Sequence, residues 1–194
     1  MNERIRWIVT TGALAAIEIV LYIAGVFIAG ASGININLSL IPMAVGALLL
    51  GPWCGLFLGF INGISVILTP STMALFMPIN AFGTILICLL KSMAAGFLAG
   101  LLFKLFKDTK VEIVGMVVCS LLIPIINTSI FCFGCFTFFR DWFYEQAGTI
   151  NPFLFFITAF VGINFIIEIG IVAVFSPAIC KIVQIAKKKR EASA

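Results

Sequence analysis

Long runs of apolar residues, separated by short stretches rich in Gly, Pro and polar residues, dominate the pattern along the chain. Such runs are typical of helices that cross a bilayer, since about 20 apolar residues span the hydrocarbon core. Six such segments are predicted. We expect the fourth to start near Pro78. We expect the sixth to begin with Asn151 as its N-cap and Pro152 in its first turn. The segments cover residues 7–29, 38–50, 53–68, 78–103, 113–139 and 152–181.

The second and third segments are short and are joined by the tight turn Gly51-Pro52-Trp53. As helices they reach roughly 20–24 Å each, so a re-entrant hairpin is an alternative to two thin spans. We interpret them as two spans, because an even number of crossings places both termini on one side of the membrane.

Composition supports an all-α integral membrane protein, predicted as one compact membrane domain over residues 1–194. Hydrophobic residues make up 62% of the chain and charged residues 10%, against about 45–50% and 25% in soluble domains. The chain has no His, which excludes His-based metal sites and His general-base catalysis. Cys132 and Cys135 form one C-x-x-C pair without a second pair, so no metal site is expected.

The basic residues predict the orientation of the six segments. With the N-terminus inside, ten of the 12 Lys and Arg residues fall on the inner side, Arg140 lies outside, and Lys91 lies within the membrane. This asymmetry follows the positive-inside rule and predicts that both termini are cytoplasmic. A signal peptide is the alternative for residues 7–29, but their full spanning length favours a retained first helix.

Three ionisable residues fall near the middle of predicted spans: Glu18, Lys91 and Glu168. A charge at the centre of a bilayer costs at least about 2.5–3.5 kcal/mol, so each needs a partner, a cavity or a ligand. Lys91 could pair with Glu168 or Glu18 and fix the helix packing. Alternatively, Lys91 binds an anionic group of a ligand, or Glu18 and Glu168 carry protons.

Amides and aromatic residues concentrate toward the predicted outer side. Asn35 and Asn37 lie in the first outer loop, Asn80 begins the fourth helix, and Asn164 lies one turn before Glu168. Hydrocarbon cannot satisfy amide groups, so the four Asn residues suit an outward-facing polar pocket. The third outer loop carries Trp142 and Tyr144, which indicate either an interfacial aromatic belt or a cover over a ligand.

Small residues recur at helical spacing in two segments. Gly12, Ala15 and Ala16 lie in the first segment, and the pairs Ala95/Ala99 and Gly96/Gly100 lie in the fourth. Small-xxx-small spacing lets two helices approach closely. We interpret the pairs of the fourth segment as packing within the chain, and the residues of the first as a flat strip for docking another protein.

Three stretches of the chain are the most distinctive: TTGALAAIEIVLY, IPMAVGALLLGPWCGLFLGFINGI with its Gly-Pro turn, and NAFGTILICLLKSMAAGFLAGLLFKLF. Together they resemble the substrate-binding S components of energy-coupling factor (ECF) vitamin transporters. The resemblance covers nearly the whole chain. The docking motif of that family is A-x-x-x-A, and this chain departs from it by having Gly12 at the first position and Ala16 at the second.

The resemblance implies a non-enzymatic role in the plasma membrane of a prokaryote. The chain would bind a vitamin or related micronutrient near the outer face, beneath the three outer loops, and topple in the membrane to release it. A membrane-embedded T component and two cytoplasmic ATPases would supply the energy, so no cofactor is expected in this chain and ATP would be used by its partners. The ATP-binding motif G-x-x-x-x-G-K-[ST] is absent from the sequence, as expected if the partner subunits bind ATP.

The residues expected to bind substrate are Asn35, Asn37, Asn80, Lys91, Trp142, Tyr144, Asn164 and Glu168. The alternative function is an autonomous, proton-coupled transporter that uses Glu18 and Glu168. Neither of these two functions specifies which small molecule is the substrate.

Overall fold

The protein is helical throughout the part of the chain that the structure describes. The computed structural model describes residues 3–32, 37–148 and 150–191, and none of these residues lies in a strand, which confirms the all-α prediction. The helices in chain order are α1 (Glu3–Ser32), α2 (Leu40–Leu50), α3 (Pro52–Ile67), α4 (Pro70–Leu75), α5 (Ala81–Phe103), α6 (Glu112–Phe138), α7 (Arg140–Ala147), α8 (Pro152–Phe156) and α9 (Gly162–Glu191), with a π-helical stretch (Ile157–Val161) between α8 and α9.

Four of these helices are long and apolar enough to cross a membrane. They contain the candidate spans Glu3–Ala29, Ala81–Phe103, Glu112–Phe138 and Gly162–Lys189. The shorter apolar helices α2 and α3 occupy the positions predicted for the second and third segments. The chain is therefore a multi-pass membrane protein, and the count of six spans stays a prediction.

Local contacts set where two of the helices begin. The helix expected to start near Pro78 starts at Ala81, because the Asn80 side chain caps it by accepting a hydrogen bond from the Gly83 N–H at 2.9 Å. The predicted N-cap at Asn151 is confirmed by a 2.9 Å hydrogen bond from the Phe153 N–H. The segment predicted as the third outer loop contains the short helix α7.

Helix α2 lies at the centre of the bundle. It contacts α1, α3, α5, α6 and α9, and all its residues from Pro42 to Leu48 are buried. A helix that is apolar on every side is stable only when neighbours surround it. It ends at Leu50, and the φ of 95° at Gly51 permits the turn into α3. Pro52, which was predicted in the turn itself, occupies the first turn of α3.

Helices α3 and α5 pack backbone against backbone. A Cβ atom added at Gly96 would lie 2.1 Å from the carbonyl oxygen of Gly55, and one added at Gly55 would lie 2.2 Å from that of Gly96. Ala95 and Ala99 on the same helix are fully buried. The predicted role of these small residues, close packing within the chain, is confirmed.

Candidate ligand-binding cavity

Polar side chains from most of the long helices converge on a cavity of about 330 Å³. This volume falls within the range of about 300–1,000 Å³ typical of small-molecule sites. Helix α5 contributes one face at helical spacing, with Thr84, Ile87, Cys88 and Lys91 recurring every three or four residues. The remaining lining comes from α1, α3, α6, α9, the π-helical stretch and the segment around α4, with Asn37 before α2 and Phe139 between α6 and α7.

Lys91 and Glu168 supply the charged groups of the lining. No ion pair within 4.0 Å joins Lys91 to either Glu168 or Glu18 in the described part of the chain. Instead, the Lys91 ammonium lies 4.9 Å from the ring centroid of Phe131, a distance typical of a cation–π contact. The cavity thus presents a cation and a carboxyl group that do not neutralise each other by direct contact.

The face of α9 that lines the cavity follows directly after the π-helical stretch. Val161, Asn164, Phe165 and Glu168 recur at helical spacing. A π-helical turn holds one more residue than an α-turn, so it rotates the following residues around the helix axis. This turn sets which side of α9 faces the cavity.

Asn127 on α6 presents an orphaned acceptor. Its side chain is 3% exposed and lines the cavity. Its Oδ1 has no hydrogen-bond partner among the described residues. Because a buried acceptor without a partner costs about 1–3 kcal/mol, a donor on a bound molecule would stabilise this arrangement.

Hydroxyl groups form the side of the cavity nearest α1 and α4. The Thr69 hydroxyl donates to the Ser65 carbonyl at 3.1 Å, so in the hydrogen bond between Tyr22 and Thr69 the Tyr22 hydroxyl is the donor. Ser71 and Thr72 extend this polar edge. The second outer loop, predicted as a cap, thereby contributes directly to the lining.

Phenylalanine rings enclose the cavity on another side. Phe76 lies edge-on to Phe131 and to Phe139, with ring centroids 6.1 Å and 5.2 Å apart. All three rings line the cavity. Edge-to-face contacts hold aromatic rings in defined orientations, so this side offers a fixed apolar surface to a ligand.

Four of the residues singled out in the sequence come together in this cavity: Asn37, Lys91, Asn164 and Glu168. The Asn37 Oδ1 accepts a hydrogen bond from the Ser39 hydroxyl. This bond uses one of the two lone pairs of Oδ1, so the amide of Asn37 can still both accept and donate toward the cavity. Asn35 lies outside the described residues.

Three other predicted residues lie away from the cavity lining. Asn80 is used as the N-cap of α5. Trp142 packs edge-on to Phe143 at 5.1 Å, and Tyr144 is 52% exposed beneath the guanidinium of Arg140. Whether Trp142 and Tyr144 on α7 form an interfacial aromatic belt or cover a ligand stays a prediction. Because Asn80, Trp142 and Tyr144 do not line the cavity, the proposed site leaves them out.

Glu18 lies in a second polar cluster, apart from the cavity. Its side chain is fully buried beside Asn62, and its carboxyl oxygens have no well-formed hydrogen bond among the described residues. Asn62 itself donates to Ser39 and accepts from the Ser92 hydroxyl at 3.0 Å. The predicted Lys91–Glu18 ion pair is not formed, and Glu18 lies beside Asn62 of α3 instead.

Sequence reasoning missed several lining residues. Tyr22, Thr69, Thr84 and Thr128 carry no sequence signal that separates them from other hydroxyl residues of apolar helices. Asn127 did have a signal, as an amide within an apolar segment, but its depth alone did not place it on the cavity side of α6.

The predicted docking residues divide between two faces of α1. Gly12 and Ala16 are exposed, and a Cβ atom added at Gly12 would meet no atom within 4 Å. Ala15 is buried in the core. Gly12 and Ala16 therefore lie on the outer surface of the bundle, and Ala15 does not.

Taken together, the apolar helices and the internal polar cavity define a membrane protein built to hold a small molecule. The family model described as "ECF transporter, substrate-specific component" matches residues 6–180. The chain therefore belongs to the family of substrate-specific components of ECF transporters. No curated protein and no solved structure gives a significant match to it.

Proposed function

We propose that the chain is the S component of an ECF-type importer and binds a vitamin or related micronutrient in the 330 Å³ cavity. The observation that carries this proposal is the convergence of Asn37, Lys91, Asn164 and Glu168 on one cavity in a member of this family. As a specificity subunit it binds and releases its substrate without covalent chemistry, and no cofactor is needed in this chain.

Lys91 is proposed to bind an acidic group of the substrate. Its ammonium makes no ion pair with Glu168 and lies 4.9 Å from the centroid of the Phe131 ring, facing the cavity. A carboxylate or phosphate entering the cavity would pair with it and offset the cost of a charge at this depth. The orphaned Asn127 Oδ1 and the Glu168 carboxyl would accept hydrogen bonds from donors elsewhere on the substrate.

The proposed orientation follows from the charge asymmetry of the sequence. The ends of α1 and α9, which carry Arg4, Arg6 and the basic residues 187–190, would face the cytoplasm of a prokaryotic cell. The segment around α4 would then face outward and cover the cavity. Substrate would enter from outside and be released inside only after the cavity opens.

Transport is proposed to depend on a T component and two cytoplasmic ATPases. The exposed strip with Gly12 and Ala16 would let a helix of the T component approach α1 closely. Docking must lower substrate affinity, because substrate and partner would favour different conformations of the S component.

An uptake assay tests this function. The compound released by denaturing the purified protein is identified by its mass and supplied in labelled form to right-side-out vesicles. We expect uptake only when the T component and ATPases are co-expressed, only with ATP, and not in inside-out vesicles. Uptake by this chain alone, driven by a proton gradient, would instead establish the autonomous transporter, in which Glu168 would carry protons.

A further inference from the structure

A second, larger cavity lies at the opposite, basic end of the helices and is separate from the candidate ligand site. Its volume is about 760 Å³. It lies where the start of α1 meets the ends of α2 and α9, because its lining residues come only from those three places.

The lining divides into a charged part and an apolar part. Arg4, Arg6 and Lys189 supply cations, and Glu3 is the one acidic residue that the described part of the chain contributes to the lining. The apolar part includes Trp7, Ile8, Leu49 and Leu50 from α1 and α2.

This apolar part borders the membrane. Ile8 is 63% exposed, and Ile19 and Ile23, which lie on the same side of α1, are 43% and 49% exposed. An acyl chain that entered the cavity beside Ile8 would thus leave it along a continuous apolar helix surface.

We propose that this cavity binds an anionic phospholipid of the surrounding bilayer. Its phosphate would lie among Arg4, Arg6 and Lys189, and the start of one acyl chain would contact Ile8, Leu49 and Leu50. Basic pockets between membrane helices attract anionic headgroups, with about 1 kcal/mol of attraction for each Lys or Arg near the surface. Trp7 also lines the cavity, and Trp residues are enriched at the headgroup level of membranes.

A phospholipid fits the chemistry of this cavity better than a protein segment does. A ligand that contacts both parts of the lining needs an anionic group and a hydrocarbon chain a short distance apart. A phospholipid has this arrangement and is present around α1 at high local concentration. A free phosphate would meet the cations but leave the apolar part empty.

The test compares two charge-removing variants of the full-length protein in detergent. Arg6→Gln removes a cation of the lining, and Lys188→Gln removes one from α9 beside the cavity but outside its lining. Binding of dioctanoyl phosphatidylglycerol is measured by native mass spectrometry and by the shift in melting temperature. Dioctanoyl phosphatidylcholine and glycerol phosphate are the comparison ligands.

We expect one phosphatidylglycerol per protein, bound about fivefold more weakly by Arg6→Gln and unchanged by Lys188→Gln. Phosphatidylcholine should bind more weakly, and glycerol phosphate should not stabilise the protein. If Arg6→Gln does not fold, Arg4→Gln, at an exposed position, takes its place with the same expected result.

Three results would overturn the proposal. Equal weakening by Arg6→Gln and Lys188→Gln would indicate general surface electrostatics. Stabilisation by glycerol phosphate equal to that by the lipid would indicate a phosphate site. Weaker association of Arg6→Gln with the T component, with phosphatidylglycerol binding unchanged, would indicate a protein-docking surface.

Discussion

Asn127 shows how one buried side chain can indicate a ligand-binding site. Its amide is buried on the cavity side of α6, yet its Oδ1 has no partner among the described residues. Asn62, at a comparable degree of burial, has both ends of its amide bonded, to Ser39 and Ser92. The two amides therefore have different roles: Asn62 holds helices together, and Asn127 is available to a bound molecule.

Replacing each amide with Leu should separate these roles. Asn127→Leu should weaken substrate binding about tenfold, because a donor on the substrate loses its acceptor. The same change should leave the melting temperature of the ligand-free protein unchanged or higher, since it removes an unsatisfied buried group.

Asn62→Leu is the matched control for this prediction. It should lower the stability of the ligand-free protein by about 1–3 kcal/mol, because Ser39 and Ser92 lose their partner. Thermal unfolding and ligand titration of both variants give the comparison. Full affinity in Asn127→Leu, or destabilisation of the size seen in Asn62→Leu, would show that Asn127 is a structural residue.

At the scale of elements, the contact between α3 and α5 is the part of the fold most sensitive to side-chain volume. Gly96→Ala would place a methyl group 2.1 Å from the backbone oxygen of Gly55, so the helices must separate. Overpacking of this kind costs about 1–3 kcal/mol. We expect a clear fall in melting temperature.

Gly12→Ala is the control for that change, because a Cβ atom at Gly12 meets no atom within 4 Å. Its melting temperature should equal or exceed that of the wild type, since Ala favours helix over Gly. Equal destabilisation by the two substitutions would mean that the effect comes from helix propensity and that the close approach of α3 and α5 is not responsible.

The exposed strip of α1 is tested with larger side chains. Gly12→Leu and Ala16→Leu should each weaken association with the T component about tenfold or more, because a bulky side chain in a close helix contact costs about 1–3 kcal/mol. Co-purification with the T component measures the effect.

Ala173→Leu provides the same change at an exposed position of α9. It should leave both association and melting temperature as they are in the wild type. Undiminished co-purification of Gly12→Leu and Ala16→Leu would remove this strip from the proposed interface.

The long helices could be predicted from sequence, and the short ones could not. The apolar runs that form α1, α5, α6 and α9 are far longer than a strand requires. Their length and periodicity therefore predict helices. Helices α4 and α7 have only 6 and 8 residues, and their stability depends on contacts with the rest of the bundle. The π-helical stretch leaves no distinctive pattern, although it determines which side of α9 faces the cavity.

At the scale of the whole molecule, the direction in which a side chain points around its helix axis could not be predicted from the sequence. Lys91, Glu168 and Glu18 were all expected near mid-depth. Lys91 and Glu168 face one cavity, whereas Glu18 faces Asn62 on α3. Which of these side chains faces the cavity depends on how its helix packs against several neighbours, so the sequence of one helix alone does not predict it. Trp142 and Tyr144 illustrate the same point, because their place in an outer segment says nothing about which surface α7 turns to the cavity.

The central claim is that this cavity holds a small molecule through Lys91, and native mass spectrometry tests it most directly. The wild-type protein, purified in mild detergent, should retain one small-molecule mass per chain. Lys91→Met should lose that mass, while Lys104→Met, which changes an exposed lysine at the end of α5, should keep it. Retention of the same mass by Lys91→Met, with only a lower melting temperature, would contradict the account and assign Lys91 to helix packing.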